Sequence, residues 1–203
     1  MKRNRTGRKV LISAAVLGAA AAVAGLGTFG TFTSTTSASA TASSGTVVIG
    51  LGTAGTADNR LTVASGLLVP GDTIQRQVKL NNTGNQALSQ VTLTTAATAS
   101  SLLDTDATNG LQLTVQSCPT AWTEAGTAPG YTYTCTGATT LIASRPVVGS
   151  NVVLSGTSAL TAGASDNLLV KLSFPSTADN TFQNKTSTIG FTFTGTQRAA
   201  TDR

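Results

Sequence analysis

The chain has 203 residues and no histidine, and its 13 lysines and arginines face 8 aspartates and glutamates. The missing imidazole excludes Ser-His-Asp and Cys-His catalysis, and it excludes the H-E-x-x-H zinc motif. Five of the basic residues lie within the first nine positions, so the rest of the chain is formally neutral. Nucleic-acid binding needs a clustered basic surface, and we therefore predict no nucleic-acid partner.

Residues 1–40 have the three parts of a secretory signal peptide. A basic start is followed by an apolar stretch at residues 10–26 and by the small-residue pattern Ala38-Ser39-Ala40. We predict a helical leader that is removed, either at this pattern or as early as Thr31, before Phe32. The alternative is a membrane anchor, for which about 17 apolar residues are close to the lower limit of a span. The sequence predicts a secreted protein that meets a membrane only through an uncleaved leader.

The composition of residues 41–198 is typical of an all-β domain. Threonine suits strands, glycine and asparagine suit turns, and no stretch shows a sustained helical period of apolar residues. About 160 residues suit a single domain with one core. We predict an antiparallel β-sandwich of jelly-roll or Greek-key type with about eight to ten strands, followed by a tail at residues 199–203.

The first half of this domain contains four candidate strands. Residues 46–51 form a short apolar run, and residues 61–64 are a weaker candidate. After a Pro-Gly turn, residues 74–80 alternate between apolar and polar side chains, although Arg76 falls on the apolar face. A turn rich in asparagine and glycine then leads into an alternating run at residues 88–95, and this pair predicts an antiparallel hairpin.

The second half contains four further alternating runs. They predict strands at residues 111–115, 131–135, 168–174 and 188–194. In the last of these, Ile189, Phe191 and Phe193 face inward and threonines face outward. Residues 176–184 are expected to hold one helical turn, with Phe182 directed into the core.

The two cysteines, Cys118 and Cys135, enclose a loop that contains prolines and glycines. In an exported protein an even number of cysteines favours a disulfide, and closing a loop of this size removes about 3 kcal/mol of unfolded-state entropy. A metal pair and two free thiols are the alternatives. Because two cysteines without histidine leave a soft cation short of ligands, we predict the disulfide and no metal or other cofactor.

One segment carries two carboxylates close together, Asp104 and Asp106, in an oxygen-rich loop that ends in Asn109 and Gly110. The loop is similar to a calcium site in its oxygen content. Asn109 stands where the glycine of an EF-hand belongs, however, and Val115 replaces the terminal glutamate. A turn is the interpretation that we favour, and calcium is the alternative.

Several short runs are similar to those of one known family. The leader end Gly-Thr-Phe-Gly-Thr-Phe-Thr-Ser at residues 27–34 resembles the end of leaders that the signal peptidase SipW cuts. Ser-Gly-Thr-Val-Val-Ile at residues 44–49 resembles the first strand of the TasA/CalY/camelysin family, and Leu-Val-Pro-Gly-Asp at residues 68–72 resembles its L-x-P-G-D turn. The resemblance covers residues 10–198 and is to the short members from high-GC Gram-positive bacteria.

The resemblance implies a jelly-roll fold and export to the cell surface or to a biofilm matrix, where family members assemble into fibres. In that assembly an N-terminal segment of one subunit adds a strand to the sandwich of the next. The donor residues that this implies here are Phe32, Thr33, Val47 and Ile49. The family also implies a metallopeptidase, but the absence of histidine argues against transferring that activity.

We therefore weigh three functions and predict the first. The first is a non-enzymatic, secreted structural protein whose partner is a second copy of itself. The second is a monomeric surface module that binds cell-wall or matrix polymers through Trp122, Tyr131 and Tyr133, although these aromatics also suit packing against the disulfide. The third is a camelysin-like metallopeptidase.

Overall fold

The computed structural model describes residues 45–62 and 64–200; the predicted leader, with its cleavage positions, lies outside them. Ten strands occur in this part of the chain. They are β1 (Ile49–Leu51), β2 (Thr73–Asn82), β3 (Leu88–Ala99), β4 (Gln112–Cys118), β5 (Thr123–Ala125), β6 (Thr132–Thr134), β7 (Thr139–Pro146), β8 (Gly149–Val153), β9 (Ser165–Ser173) and β10 (Thr188–Gln197). A short helix α1 (Leu102–Thr105) follows β3, and single 3₁₀ turns lie at Ser158–Leu160 and Asn180–Phe182. Among these residues, no helix has the length and apolar character that crossing a membrane requires.

The strands form two facing sheets and one small hairpin, and every pairing is antiparallel. The larger sheet has the order β1-β2-β9-β4-β7, the smaller has the order β10-β3-β8, and β5 pairs with β6. Their inward side chains meet in one core, to which Val78, Leu113 and Val170 come from the larger sheet and Val91 and Leu93 from the smaller. The prediction of an all-β antiparallel sandwich is confirmed, and the jelly-roll connections stay a prediction.

The predicted hairpin of residues 74–80 with residues 88–95 is wrong. Both strands exist and bury the expected faces, but β2 lies in the larger sheet and β3 in the smaller one. Alternation reports only which face is buried, and two strands that face each other across a core have the same pattern as two neighbours in one sheet. The crossover is held by Asn82, whose side chain accepts a hydrogen bond from Gly84 N (3.1 Å) and donates to Thr161 O (3.2 Å).

Other boundaries differ in smaller ways. Residues 61 and 62 lie in a turn instead of a strand, and β1 begins at Ile49, three residues later than predicted. The strands predicted around residues 111–115, 131–135, 168–174 and 188–194 correspond to β4, β6, β9 and β10. Phe182 is buried at the end of its 3₁₀ turn, as expected. The structure adds three strands: β5, which has only three residues, and β7 and β8, which carry no clear alternation.

Candidate assembly surface

The outer strands of the two sheets, β1 and β10, lie side by side along one side of the sandwich. β1 is the last strand of the larger sheet and β10 the last strand of the smaller one. The Ile49 side chain reaches from β1 to β10. Its Cδ1 lies 3.5 Å from the position that a β-carbon on Gly195 would occupy. Residues of both strands also line a groove.

The groove has a volume of about 220 Å³ and is mainly apolar. It is lined by Ile49, Gly50, Leu51, Leu80, Phe191, Thr192 and Phe193. Leu80 is fully buried, whereas Phe191 and Phe193 are only half-buried although they face inward. The inward direction predicted for the two phenylalanines is confirmed, and their partial exposure arises because no strand of the described residues closes this side of the sandwich.

The edge that β10 presents is long and unprotected. β10 has ten residues, none of them charged and none of them proline, and its one partner strand among the described residues is β3. Natural sheets protect their edges with short strands, charges, prolines or bulges. β7 carries Arg145 and Pro146 and two register shifts, and β8 has five residues with Asn151 at a φ of 52°. β10 has none of these devices apart from irregular pairing at its two ends.

The predicted donor residues divide into two groups. Phe32 and Thr33 lie outside the described residues. Ile49 is paired with Asn82 of the same chain. Val47 packs against the core, and the carbonyls of the residues on either side of it accept hydrogen bonds from the turn after β2. Val47 and Ile49 are thus already engaged within their own subunit.

The aromatic residues considered for polymer binding lie under the disulfide hairpin. Cys118 and Cys135 form the predicted disulfide. Trp122 is 7% exposed and donates from Nε1 to the Asn167 carbonyl (2.8 Å), and Tyr133 is 8% exposed. Together with Leu169 they form a second, small core between the β5–β6 hairpin and the outer face of the larger sheet. These two rings therefore pack against the disulfide and are not displayed to a ligand.

An ion pair joins this hairpin to the loop after β1. Arg60 donates to both carboxylate oxygens of Glu124, from Nη2 (2.7 Å) and Nε (3.0 Å), and the Tyr133 hydroxyl donates to the same carboxylate (2.8 Å). The hydrogen bond from Arg60 holds the pKa of Glu124 below its usual value. Burial, with the bond to Glu124, raises the pKa of Tyr133 to about 12. The Tyr131 ring lies 4.7 Å from the Arg60 guanidinium.

The Asp104 and Asp106 carboxylates serve local structure. Asp104 accepts hydrogen bonds from Ser101 N (2.7 Å) and Ser100 Oγ (2.7 Å) in the capping box of α1. Burial acts to raise the pKa of Asp104, but the bonds from Ser187, Ser101 and Ser100 outweigh it and lower the pKa. Asp106 accepts from the next turn's backbone, which lowers its pKa as well. These contacts are those of the turn interpretation.

The residues present do not fit a catalytic zinc site. Such a site needs three protein ligands, drawn from histidine, cysteine and carboxylates. The sequence has no histidine, both cysteines are joined to each other, and the described residues contain no group of three or more acidic or cysteine side chains that could hold a metal ion. We therefore derive no reaction step through a metal.

Comparison with known proteins gives one match. No curated protein matches the chain significantly. The sequence model of the family described as camelysin metallo-endopeptidase matches residues 6–202, nearly the whole chain. The predicted family is thereby confirmed, and the chain belongs to the TasA/camelysin family.

Proposed function

We propose that this protein is a secreted, non-enzymatic structural component of the cell surface or biofilm matrix, and that its copies assemble by strand addition at the β10 edge. The observation that carries the proposal is the uncharged ten-residue edge of β10 beside an apolar groove. An added strand would satisfy the backbone groups of that edge. Its alternate side chains would enter the groove and cover Leu51, Phe191 and Phe193.

Both the energetics and the net charge favour this role. Burying a large apolar side chain completely contributes about 1.5–3 kcal/mol. An added strand would gain part of that from covering each of Leu51, Phe191 and Phe193, which are already partly buried, and Phe32 is the one large apolar side chain that the candidate donor adds. Residues 41–203 carry equal numbers of acidic and basic groups, so no long-range repulsion keeps copies apart. Self-association would bury this surface without any other kind of partner.

The segment before Gly45 is the candidate donor. Residues 32–44 contain neither proline nor a charged residue, and at about 3.3 Å per residue they are long enough to follow the whole of β10. A cut after Ala40 would leave only residues 41–44 before Gly45, which are too few. The position of the cut therefore decides whether a secreted copy carries a usable donor.

Electron microscopy of purified protein tests the proposal with two starts and two substitutions. Protein that begins at Phe32 should form fibres, and protein that begins at Thr41 should stay monomeric. In the longer protein, Leu51→Glu places a charge at the groove and should abolish fibres. Leu67→Glu is the matched control, because Leu67 is fully exposed at 101% and does not line the groove. Monomers from every variant after long incubation would refute the proposal.

The two other functions lack support from the described residues. The family's description names a metallo-endopeptidase, but the donor set of this chain does not fit a zinc site. A casein assay with and without chelator checks this directly, and chelator-sensitive cleavage by pure protein would overturn the non-enzymatic assignment. Binding of wall polymers through Trp122 would require an indole face that is covered here.

A further inference from the structure

The outer edge of β2 is covered, although it borders β1 over only three residues. We call residues 52–60 the edge cover. They form no strand and contribute only an isolated bridge from Asn59 to Val78, yet they bond to the β2 backbone at each step. The bonds are Gly52 N to Lys79 O (2.9 Å), Lys79 N to Asp58 O (2.7 Å) and Arg60 N to Gln77 O (2.8 Å).

A side chain continues the cover where the backbone leaves off. Arg76, the charged residue on the apolar face of β2, donates from Nη1 to the carbonyl of Gln75 (2.7 Å). Its Nη2 donates to Ala64 O (2.9 Å) and to Pro129 O in the β5–β6 hairpin (3.1 Å). The guanidinium therefore blocks the next carbonyl of the edge and links it to the hairpin.

The β5–β6 hairpin holds this arrangement in place. Glu124 on β5 binds the Arg60 side chain with both carboxylate oxygens. The Tyr131 ring lies 4.7 Å from the Arg60 guanidinium and 5.8 Å from that of Arg76, so it contacts both cations. The hairpin itself is fixed to the larger sheet by the disulfide and by the bond from Tyr133 N to Gln75 Oε1 (3.1 Å).

We propose that the β5–β6 hairpin is a latch that keeps the edge cover on β2 and so confines strand addition to the β10 side. An uncovered edge pairs with any extended segment, and an open β2 would give each subunit a second acceptor of about seven residues. With the latch closed, the described strands offer one acceptor edge, and assembly is unbranched. The confinement part of this inference rests on the proposed function; the sealing of β2 by the latch does not.

Hydrogen exchange on the secreted protein tests the latch itself. Glu124→Gln keeps the shape of the side chain and removes the charge that Arg60 binds. The backbone amides of Gly52, Arg60 and Lys79 should then exchange about tenfold faster, while amides in the β3–β10 ladder stay unchanged. Lys185→Gln, a charge change in a loop remote from the hairpin in sequence, should leave all of them unchanged. Unaltered exchange in Glu124→Gln would overturn the latch; should that variant fail to fold, Arg60→Lys, which loses the two-pronged contact, replaces it.

Native mass spectrometry with a synthetic peptide of residues 32–44 tests the confinement. Protein that begins at Thr41 should bind one peptide, and its Glu124→Gln variant should bind two. One peptide on both proteins, together with faster exchange in the variant, would overturn confinement. No peptide on either protein would refute the proposed donor and acceptor, whereas faster exchange in that same variant would still support the sealed β2 edge. The two failures are therefore distinguishable.

Discussion

Replacing Trp122 with alanine tests whether the disulfide hairpin is a packed part of the domain. A tryptophan side chain offers about 200 Å² of surface, and only 7% of Trp122 is exposed. At about 25 cal/mol per Å² its burial contributes about 5 kcal/mol, and measured Trp→Ala losses are about 3–5 kcal/mol. We expect Trp122→Ala to lower the free energy of unfolding by about 4 kcal/mol.

Thermal unfolding followed by circular dichroism measures this change. In a domain of this size 1 kcal/mol corresponds to about 2–4 °C, so the Tm should fall by about 8–16 °C. Trp122→Phe should have an intermediate effect, because it keeps an aromatic ring but removes the Nε1 donor to the Asn167 carbonyl (2.8 Å). A buried carbonyl left without its partner costs about 1–3 kcal/mol.

The control for this series is Leu67→Ala, which removes an apolar side chain that is fully exposed. It should change the stability by less than about 0.5 kcal/mol. A Trp122→Ala protein whose Tm falls by less than about 2 °C would contradict the packing argument, since a shift that small corresponds to about 1 kcal/mol or less. Loss of binding to wall polymers in such a stable variant would place the indole at a binding surface instead.

Three further predictions follow from particular contacts. Replacing Cys118 and Cys135 with serine should cost about 3 kcal/mol, because the disulfide joins residues 17 positions apart; urea unfolding measures the loss, and the wild type should lose the same amount in reductant. The pKa of Tyr133 is raised to about 12, so the neutral hydroxyl stabilises the fold fully below pH ~10, and this stability is lost as the pH rises through the folded pKa. In unfolding measured as a function of pH, a Tyr133→Phe variant should lack this alkaline loss. Gly84→Ala should cost about 1–3 kcal/mol in the same measurement, because its β-carbon would clash with the Thr46 carbonyl oxygen. An unchanged stability would mean that the chain start does not pack there.

The strands were predictable where burial is one-sided. Val78, Leu80, Val91 and Leu93 alternate with polar residues, and each lies in the core as the pattern predicts. The same pattern could not tell that β2 and β3 belong to different sheets. That distinction depends on the route of the connecting turn. The buried Asn82 fixes this route through bonds to Gln86 O within the turn and to Thr161 O, which is 79 residues away in the sequence.

The candidate site was predictable only in part. The family resemblance implied strand addition. The alternation of β10 predicted that Phe191 and Phe193 face inward, but it carried no sign that they line a groove. The edge cover had one visible signal, Arg76 on an otherwise apolar face, which fits a side chain that turns back to bond the strand edge. The Arg60–Glu124 pair had none, because single charges 64 residues apart carry no local pattern that would join them.

The position of the chain start gives the proposed assembly a direction. Thr46 N donates to Asn85 Oδ1 (2.6 Å) and Asn85 N donates to Thr46 O (3.0 Å), so the path of β1 continues backwards to one end of the sandwich. Arg198, which follows β10, reaches the same end through its bond to Gln86 (3.2 Å). A segment that continues straight from Gly45 therefore leaves beyond the end of β10 and would have to reverse to enter its own groove. Since a reversal would order additional residues at an entropic cost, we expect the groove of another copy to be the favoured acceptor in the proposed assembly, and a polymer built this way would have two unlike ends.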